Sequence, residues 1–429
     1  GFAVKSTRRN ISLINTNTIH YDKVINGKSL SLLGGAEFQT NTNESLRSAA
    51  SNFFTNAFNN NALQAGNEFE QPSSGLSEWA MMSFFARGNY IIKDKYIFTA
   101  TARTDGSSRF GVDNRWGFFP SGAFAWRISN EPFMDNLGFI SNAKFRASYG
   151  LTGNTDIGSF RSLATFSPTG SYLFGGNQFS GTSPDRVANP DLKWERTAQW
   201  NLGLDLSILN DRLNLTVEVY NKTTNDLLLA RSIPSTSGFS TSLQNLGSVE
   251  NKGVELVLDA DVVQGSDFSW NANANVSFNR NEVLDLGGEQ VIILGSSLCG
   301  RACWNNRDIL LEVGKPIGLF RGYVFDGIWQ SQEQIDNSSI DHGVPSPRVG
   351  GVRYADTNGD NSVNSEDIGA IGDPNPDFIY GLTNNFTYRN FDLLIFIQGS
   401  QGNQVLNHTL NDLLYMGMGG TQSRMAGSA

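Results

Sequence analysis

AQWNLGLDLSILNDRLNLTVEV, residues 198–219, consists of two alternating runs set around one polar pair. Trp200, Leu202, Leu204 and Leu206 are apolar, with Asn201, Gly203, Asp205 and Ser207 between them. Beyond Asn210-Asp211 the pattern resumes, with Leu213, Leu215, Val217 and Val219 set against Asn214, Thr216 and Glu218. A period of two sends alternate side chains to opposite faces of a strand, and Asn and Asp suit a tight turn. The stretch therefore predicts an antiparallel hairpin with one apolar and one polar face. Val254, Leu256, Leu258, Ala260 and Val262 form a third run. Phe268, Trp270, Ala272, Ala274, Val276 and Phe278 form a fourth, against Ser269, Asn271, Asn273, Asn275, Ser277 and Asn279. Strands in soluble sheets are usually about 5–6 residues long, whereas a tilted membrane-crossing strand needs about 9–11. Alternation sustained this far predicts an all-β fold, a transmembrane antiparallel β-barrel with one face to lipid and the other to water. The competing reading is a large soluble β-sheet enzyme or lectin with one wet face.

Composition supports the barrel. The 429 residues are 39% hydrophobic, yet no apolar run reaches the ~20 residues of a membrane helix. That excludes a helical membrane protein and leaves a barrel open, because alternation dilutes its apolar residues. The 45 Gly, 29 Phe and 11 Tyr suit closely packed strands with aromatic girdles. A formal charge of −9 gives no reason to expect nucleic acid. Cys299 and Cys303 are close enough for a small surface disulfide in an oxidising compartment, or are free thiols. His20, His342 and His408 have no metal-ligand or catalytic-triad spacing. No Gly-rich phosphate loop leads from a strand into a helix, and nothing singles out one acidic pair, so no enzyme is expected. Residue 1 is not Met, and the last residues are small and unpatterned. We read the chain as an internal piece of a longer protein.

Short and long connections alternate. Short ones are expected at 22–27, 92–95, 209–212, 264–267 and 388–391, with a slightly longer one at 130–141. Long Asn/Ser/Gly-rich stretches fall at 41–79, 105–114, 153–193, 225–250 and 282–376. Outer-membrane barrels have short periplasmic turns and long extracellular loops, and that assignment gives about 12 crossings without a parity clash. Residues 282–376 then form one large external loop region with short strands of its own.

Specific strings narrow the reading. Arg103-Thr-Asp-Gly-Ser-Ser-Arg-Phe110, Arg115-Trp-Gly-Phe-Phe-Pro-Ser-Gly122 and Trp126-Arg-Ile-Ser-Asn-Glu-Pro-Phe133 occur in order. Lys144-Phe-Arg-Ala-Ser-Tyr-Gly150 with Thr152-Gly-Asn154, then Asn189-Pro-Asp-Leu-Lys-Trp-Glu195, follow them. Asn251-Lys-Gly-Val-Glu255, Gly322-Tyr-Val-Phe-Asp-Gly-Ile-Trp329 and Asn390-Phe-Asp-Leu393 complete the series. This ordered set resembles the SusC/RagA group of TonB-dependent outer-membrane transporters of the Bacteroidetes, over nearly all of residues 1–429. The resemblance implies a 22-stranded barrel, of which about 12 strands are present here. The N-terminal plug, the TonB box and the final strands are absent from this sequence. It also implies import of oligosaccharides or oligopeptides, energised by TonB with ExbB and ExbD. A SusD-like surface lipoprotein is the implied partner and the outer membrane the implied location. A siderophore or vitamin receptor on the same barrel is the alternative transporter, and a soluble all-β carbohydrate-binding or hydrolytic domain the alternative of another class. Physically, most of the strings read as architecture. Asp105-Gly106 suits a turn, Arg103, Asp105 and Arg109 suit ion pairs, and Trp116, Phe118, Phe119 and Trp126 suit interfacial anchors.

One local pattern points to a ligand. Asp356, Asn358, Asp360, Ser362, Asn364 and Asp367 occupy positions 1, 3, 5, 7, 9 and 12 of the window 356–367. That is the ligand spacing of an EF-hand or dockerin-type calcium loop, with Ser362 contributing its carbonyl. Asn361 stands where Gly is usual and tolerates a left-handed backbone. A structural calcium ion is the only cofactor this sequence suggests. The alternative is an Asp/Asn turn bonded to its own backbone.

Overall fold

The computed structural model describes residues 1–168, 171–295, 308–343 and 346–407, apart from the side chain of Gln178. Cys299, Cys303 and His408 lie outside these residues. Among the described residues, twelve long strands follow one another in a single antiparallel sheet path. We number them β1 (Phe2–Ile25), β2 (Lys28–Phe53), β3 (Ser73–Ile92), β4 (Tyr96–Ser107), β5 (Trp116–Arg127) and β6 (Ile140–Asn154). The series continues with β7 (Glu195–Ile208), β8 (Leu213–Asn225), β9 (Ser248–Gln264), β10 (Phe268–Asp285), β11 (Phe378–Tyr388) and β12 (Phe391–Gln401). Neighbours in the sheet are neighbours in the sequence throughout.

The chain divides into two compact units. The first holds β1 to β5, β6 from Ala143 onward, the start of β7, the last two residues of β8 and the connection from 226 to 246. Its first three strands are far longer than the alternation predicts. β1 and β2 pair without a break from Ile25↔Lys28 to Phe2↔Ser51, and β2 pairs with β3 out to Arg47↔Ser73. Residues 41–53 and 73–79, expected as loop from their Asn, Ser and Thr content, are therefore strand. Polar residues dominate both faces there, and the few apolar ones, such as Leu46, Ala49 and Ala50, do not alternate, yet the backbone ladder is complete. The loop proper is only 54–72, which carries a short strand, Gly66–Phe69, paired back onto β2.

The second unit contains the start of β6, the end of β7, most of β8 and then β9 to β12. Leu209, Asn210 and Asp211 all sit at positive φ (57°, 56° and 63°), which closes the β7–β8 hairpin at the expected Asn-Asp. The two faces separate cleanly. Leu258 opposes Ala274, which opposes Leu382, which opposes Ile397. Trp270 opposes Phe386 on the same face, with stacked rings 5.5 Å apart. On the other face, Asp259, Asn273 and Thr383 form one cross-strand row, and Asp261, Asn271 and Asn385 the next. Asn271 Nδ2 donates to Asp261 Oδ1 at 3.0 Å. The register shifts between Asp261 and Val263, so Val263, not Val262, opposes Trp270. Val262 is the extra residue of a bulge, which bends the strand where the ladder ends.

Short turns hold one another by backbone bonds. In the first unit, Lys93 N–H donates to Gly27 O and Arg127 N–H to Lys95 O, both at 2.8 Å. In the second, Leu209 N–H reaches Phe139 O, Asp261 N–H reaches Arg212 O and Arg389 N–H reaches Asp267 O. The connection from 286 to 377 has short strands of its own, among them Val291–Leu294, Ile309–Glu312, Leu319–Gly322 and Gly369–Gly372 in one small sheet.

Candidate functional site

At the long-connection edge of the first unit, the quoted strings converge. Phe110, Phe119, Ile157, Leu192 and Trp194 form one buried cluster. The Trp194 ring lies 5.5 Å from Phe110 and 5.2 Å from Phe119, and its Nε1 donates to Arg115 O at 2.9 Å. Two glycines make room. A Cβ on either Gly117 or Gly153 would collide with the Phe119 ring. Phe119 is thus core, not the interfacial anchor expected of it, whereas Trp116 and Phe118 are exposed.

The Asn189–Glu195 string acts as a staple. Asn189 Nδ2 donates to Leu243 O at 2.8 Å. Lys193 N–H donates to Asn245 Oδ1, and Asn245 Nδ2 returns a bond to Lys193 O. Glu195 accepts from Leu228 N–H at 2.8 Å and from Asn154 Nδ2 at 2.7 Å. Long connections at 155–194 and 226–247 are thereby tied to the strand tops. Arg103 pairs with Asp105 at 2.7 Å and donates to Ser83 Oγ at 2.9 Å. Arg109 bonds Thr155 O at 2.6 Å and lies over the Trp79 ring. The expected ion pairs are therefore met for Arg103, while Arg109 serves a backbone carbonyl.

Above this core is a polar cavity of about 850 Å³, lined by residues of three long segments and Ser77. Its charged residues are Arg161, Asp185 and Arg186; Ser77, Ser159, Ser167, Ser183, Ser240 and Thr241 supply hydroxyls, and Phe239 one ring. Arg186 Nη2 donates to Thr165 Oγ1 at 3.1 Å, while its Nε is buried with no partner among the described residues. Burial, then the neighbouring Arg161, lower the Arg186 pKa. Sequence reading missed this site. Arg161 and Arg186 lie 25 positions apart in unpatterned Ser/Gly-rich sequence, and only the fold brings them together.

At the short-turn edge, Glu131 is a second polar focus. It accepts from Tyr96 Oη at 2.5 Å, Lys95 Nζ at 2.9 Å and Trp126 Nε1 at 3.1 Å. Three donors, Tyr96 foremost, hold its carboxyl well below the usual range, at about 2.

The 356–367 window folds as a closed turn in the second unit. Asp356 accepts from Gly359 N–H and Asn361 N–H, and Asp360 from Ser362 N–H. Asn358 accepts from Asp360 N–H, and Asn364 from Glu366 N–H. Buried Asp367 accepts from Asn364, Thr357 and Asn358 N–H groups, which lower its pKa against the opposing effect of burial. Gly359 and Asn361 take the left-handed backbone the spacing requires (φ 77° and 64°). Among the described residues, no three of His, Cys, Asp or Glu are grouped as a metal site. Calcium at Asp356, Asn358, Asp360, Ser362, Asn364 and Asp367 thus rests on spacing alone. His342 is buried edge-on against Trp329.

The family profile described as "TonB dependent receptor-like, beta-barrel" matches residues 3–297. The chain belongs to that family. TonB-dependent receptor P3 of Formosa agariphila is 38% identical over 414 residues, covering 96% of this chain and 41% of that protein. TonB-dependent receptor SusC of Bacteroides thetaiotaomicron is 33% identical over 339 residues, covering 76% of this chain and 31% of SusC. The solved RagAB peptide transporter superimposes with a TM-score of 0.76 at 27% identity, over 92% of this chain and 41% of that one. The chain is SusC-like and RagA-like, and its sheet is part of an outer-membrane barrel. The soluble all-β reading falls with that. The chain spans about 41% of the first of these relatives.

Proposed function

We propose that the full-length receptor imports oligosaccharides or oligopeptides across the outer membrane. TonB, with ExbB and ExbD, supplies the energy, and a SusD-like lipoprotein covers the edge that carries the long connections. The observation that carries this reading is the pairing of a SusC-like and RagA-like barrel with an ordered, polar set of long connections. These are stapled at 189–195 and leave a polar cavity at the sheet edge. A loop edge built this firmly suits capture of a sizeable polar solute rather than free diffusion through an open pore. Relatives that share the barrel are receptors and transporters, and one, RagAB, is a peptide transporter.

The test is purification of the full-length parent from detergent-solubilised outer membranes, with mass spectrometry of what accompanies it. The expected result is a SusD-like lipoprotein and a trapped glycan or peptide. A barrel recovered without a lipoprotein and carrying an iron chelate would replace the reading with a siderophore or vitamin receptor.

A further inference from the structure

We propose that the cavity bounded by Arg161 and Arg186 is a subsite for the anionic group of an acidic glycan, a sulfate ester or a uronate carboxylate. The inference rests on the import reading above and specifies the class of solute.

Four observations point the same way. First, two guanidinium groups and one carboxylate are the charged groups in the lining, so positive charge is in excess. Second, the single carboxylate is already engaged, with Asp185 Oδ2 accepting from Thr165 Oγ1 at 3.4 Å. Third, Arg186 spends one bond of its fork on Thr165 Oγ1, at 3.1 Å, and lies near enough to Arg161 for the two charges to repel. An oxyanion in the cavity would accept from the exposed part of the guanidinium fork and relieve the mutual repulsion of the two arginines. Fourth, among the described residues no hydrogen bond or ion pair engages the Arg161 side chain, which leaves its planar fork for a bidentate acid group.

The rest of the wall decides between solutes. Hydroxyl side chains outnumber apolar ones, and Ser77 and Ser159 already bond each other at 3.0 Å. Such a wall matches the donors and acceptors of a sugar, with Phe239 available to stack against a ring face. A peptide would leave its apolar side chains facing hydroxyls. A volume of about 850 Å³ accommodates a short oligosaccharide. The wall comes from segments that the 189–195 staple fixes, so the arginines are positioned before any solute arrives.

The full-length receptor, purified with its associated lipoprotein, would be titrated calorimetrically with four probes. These are neutral galactotetraose, its sulfated form, tetragalacturonate and an acidic tetrapeptide. Expected is binding of one or both charged saccharides at least about tenfold tighter than the neutral one, with the preference eroding as salt rises. Which of the two binds distinguishes sulfate from carboxylate. Arg161→Gln should abolish the preference while leaving the melting temperature unchanged, since that side chain holds nothing else. Arg186→Lys keeps the charge and loses the fork, and should give an intermediate loss. Equal binding of neutral and charged saccharides, or an undiminished preference in Arg161→Gln, would overturn the subsite and leave import intact. Tight binding of the peptide alone would also overturn it. Failure of every saccharide and peptide to bind would count against the import reading itself.

Discussion

Replacing Trp194 with alanine removes the centre of the staple. The indole is 5% exposed, contacts the Phe110 and Phe119 rings, and donates to Arg115 O. Truncating a buried aromatic to alanine costs about 3–5 kcal/mol. The ring pairs and the hydrogen bond belong to that same figure, because contacts within one cluster do not add independently. We expect about 4 kcal/mol, which is close to a thousandfold in an opening equilibrium. The loss is local, since no residue of β1 or β2 belongs to the cluster, and β3 adds only the partly buried Met81. Hydrogen exchange on the full-length receptor in detergent reads it directly. Amides of Lys193 and Leu228, held by Asn245 and Glu195, should lose about three orders of magnitude of protection. Amides in the middle of β2 should not change. Trp194→Phe keeps most of the packing and leaves Arg115 O its bond from Ser107 N–H, so it should cost only about 1 kcal/mol. Unchanged protection at Lys193 and Leu228, or equal loss along β2, would refute the staple.

Three further outcomes are expected. Glu131 has a folded pKa of about 2 against an ordinary 4.5, so its stabilisation is complete above about pH 4.5 and is lost as pH falls towards 2; Trp126 fluorescence should follow that window, and Glu131→Gln should abolish it. Asp367→Asn removes the charged acceptor of three backbone N–H groups, and amides 357, 358 and 364 should exchange faster; calcium that raised protection across 356–367, reversibly by chelator, would establish the metal role, and no response would leave the loop self-capped. Charge on the apolar face of β10 should harm assembly more than charge on the polar face: Ala274→Lys should cost about 2–4 kcal/mol and reduce the heat-modifiable folded band, Asn273→Lys should do little, and equal yields would contradict the face assignment.

How much was readable depends on what each feature needs. Alternation over 198–219 and 268–279 fixed strand, face and turn, because a period of two and the Asn-Asp pair are local properties. Residues 41–53 read as loop because Asn, Ser and Thr outnumber apolar residues on both faces; only the partner strand, aligned residue by residue from Phe2 to Ile25, makes them strand. The bulge at Val262 could not be seen, since an extra residue shows only against the facing strand. Phe119 looked like a girdle residue until Gly117 and Gly153, one of them 34 positions away, provided its socket. The Arg161–Arg186 cavity had no signal at all. Two arginines in Ser/Gly-rich sequence are unremarkable until a third segment, at 230–243, closes over them. The motif series, by contrast, was fully legible as family and only partly as mechanism. Its residues mostly hold one another.

Every long strand pairs with its neighbour in sequence, and this has a thermodynamic consequence for the connections between them. Closing a flexible segment costs entropy that grows only with the logarithm of its length. The segment between Asp285 and Phe378 is roughly five times as long as that between Phe53 and Ser73, yet its closure costs only about 1.4 kcal/mol more. Lengthening a connection at that edge is therefore cheap, whereas an inserted residue in Asn26-Gly27 or Leu209–Arg212 would shift an entire ladder by one and turn its apolar row to water. The sheet can thus accept new sequence on the edge that carries the long connections while its opposite edge admits almost none.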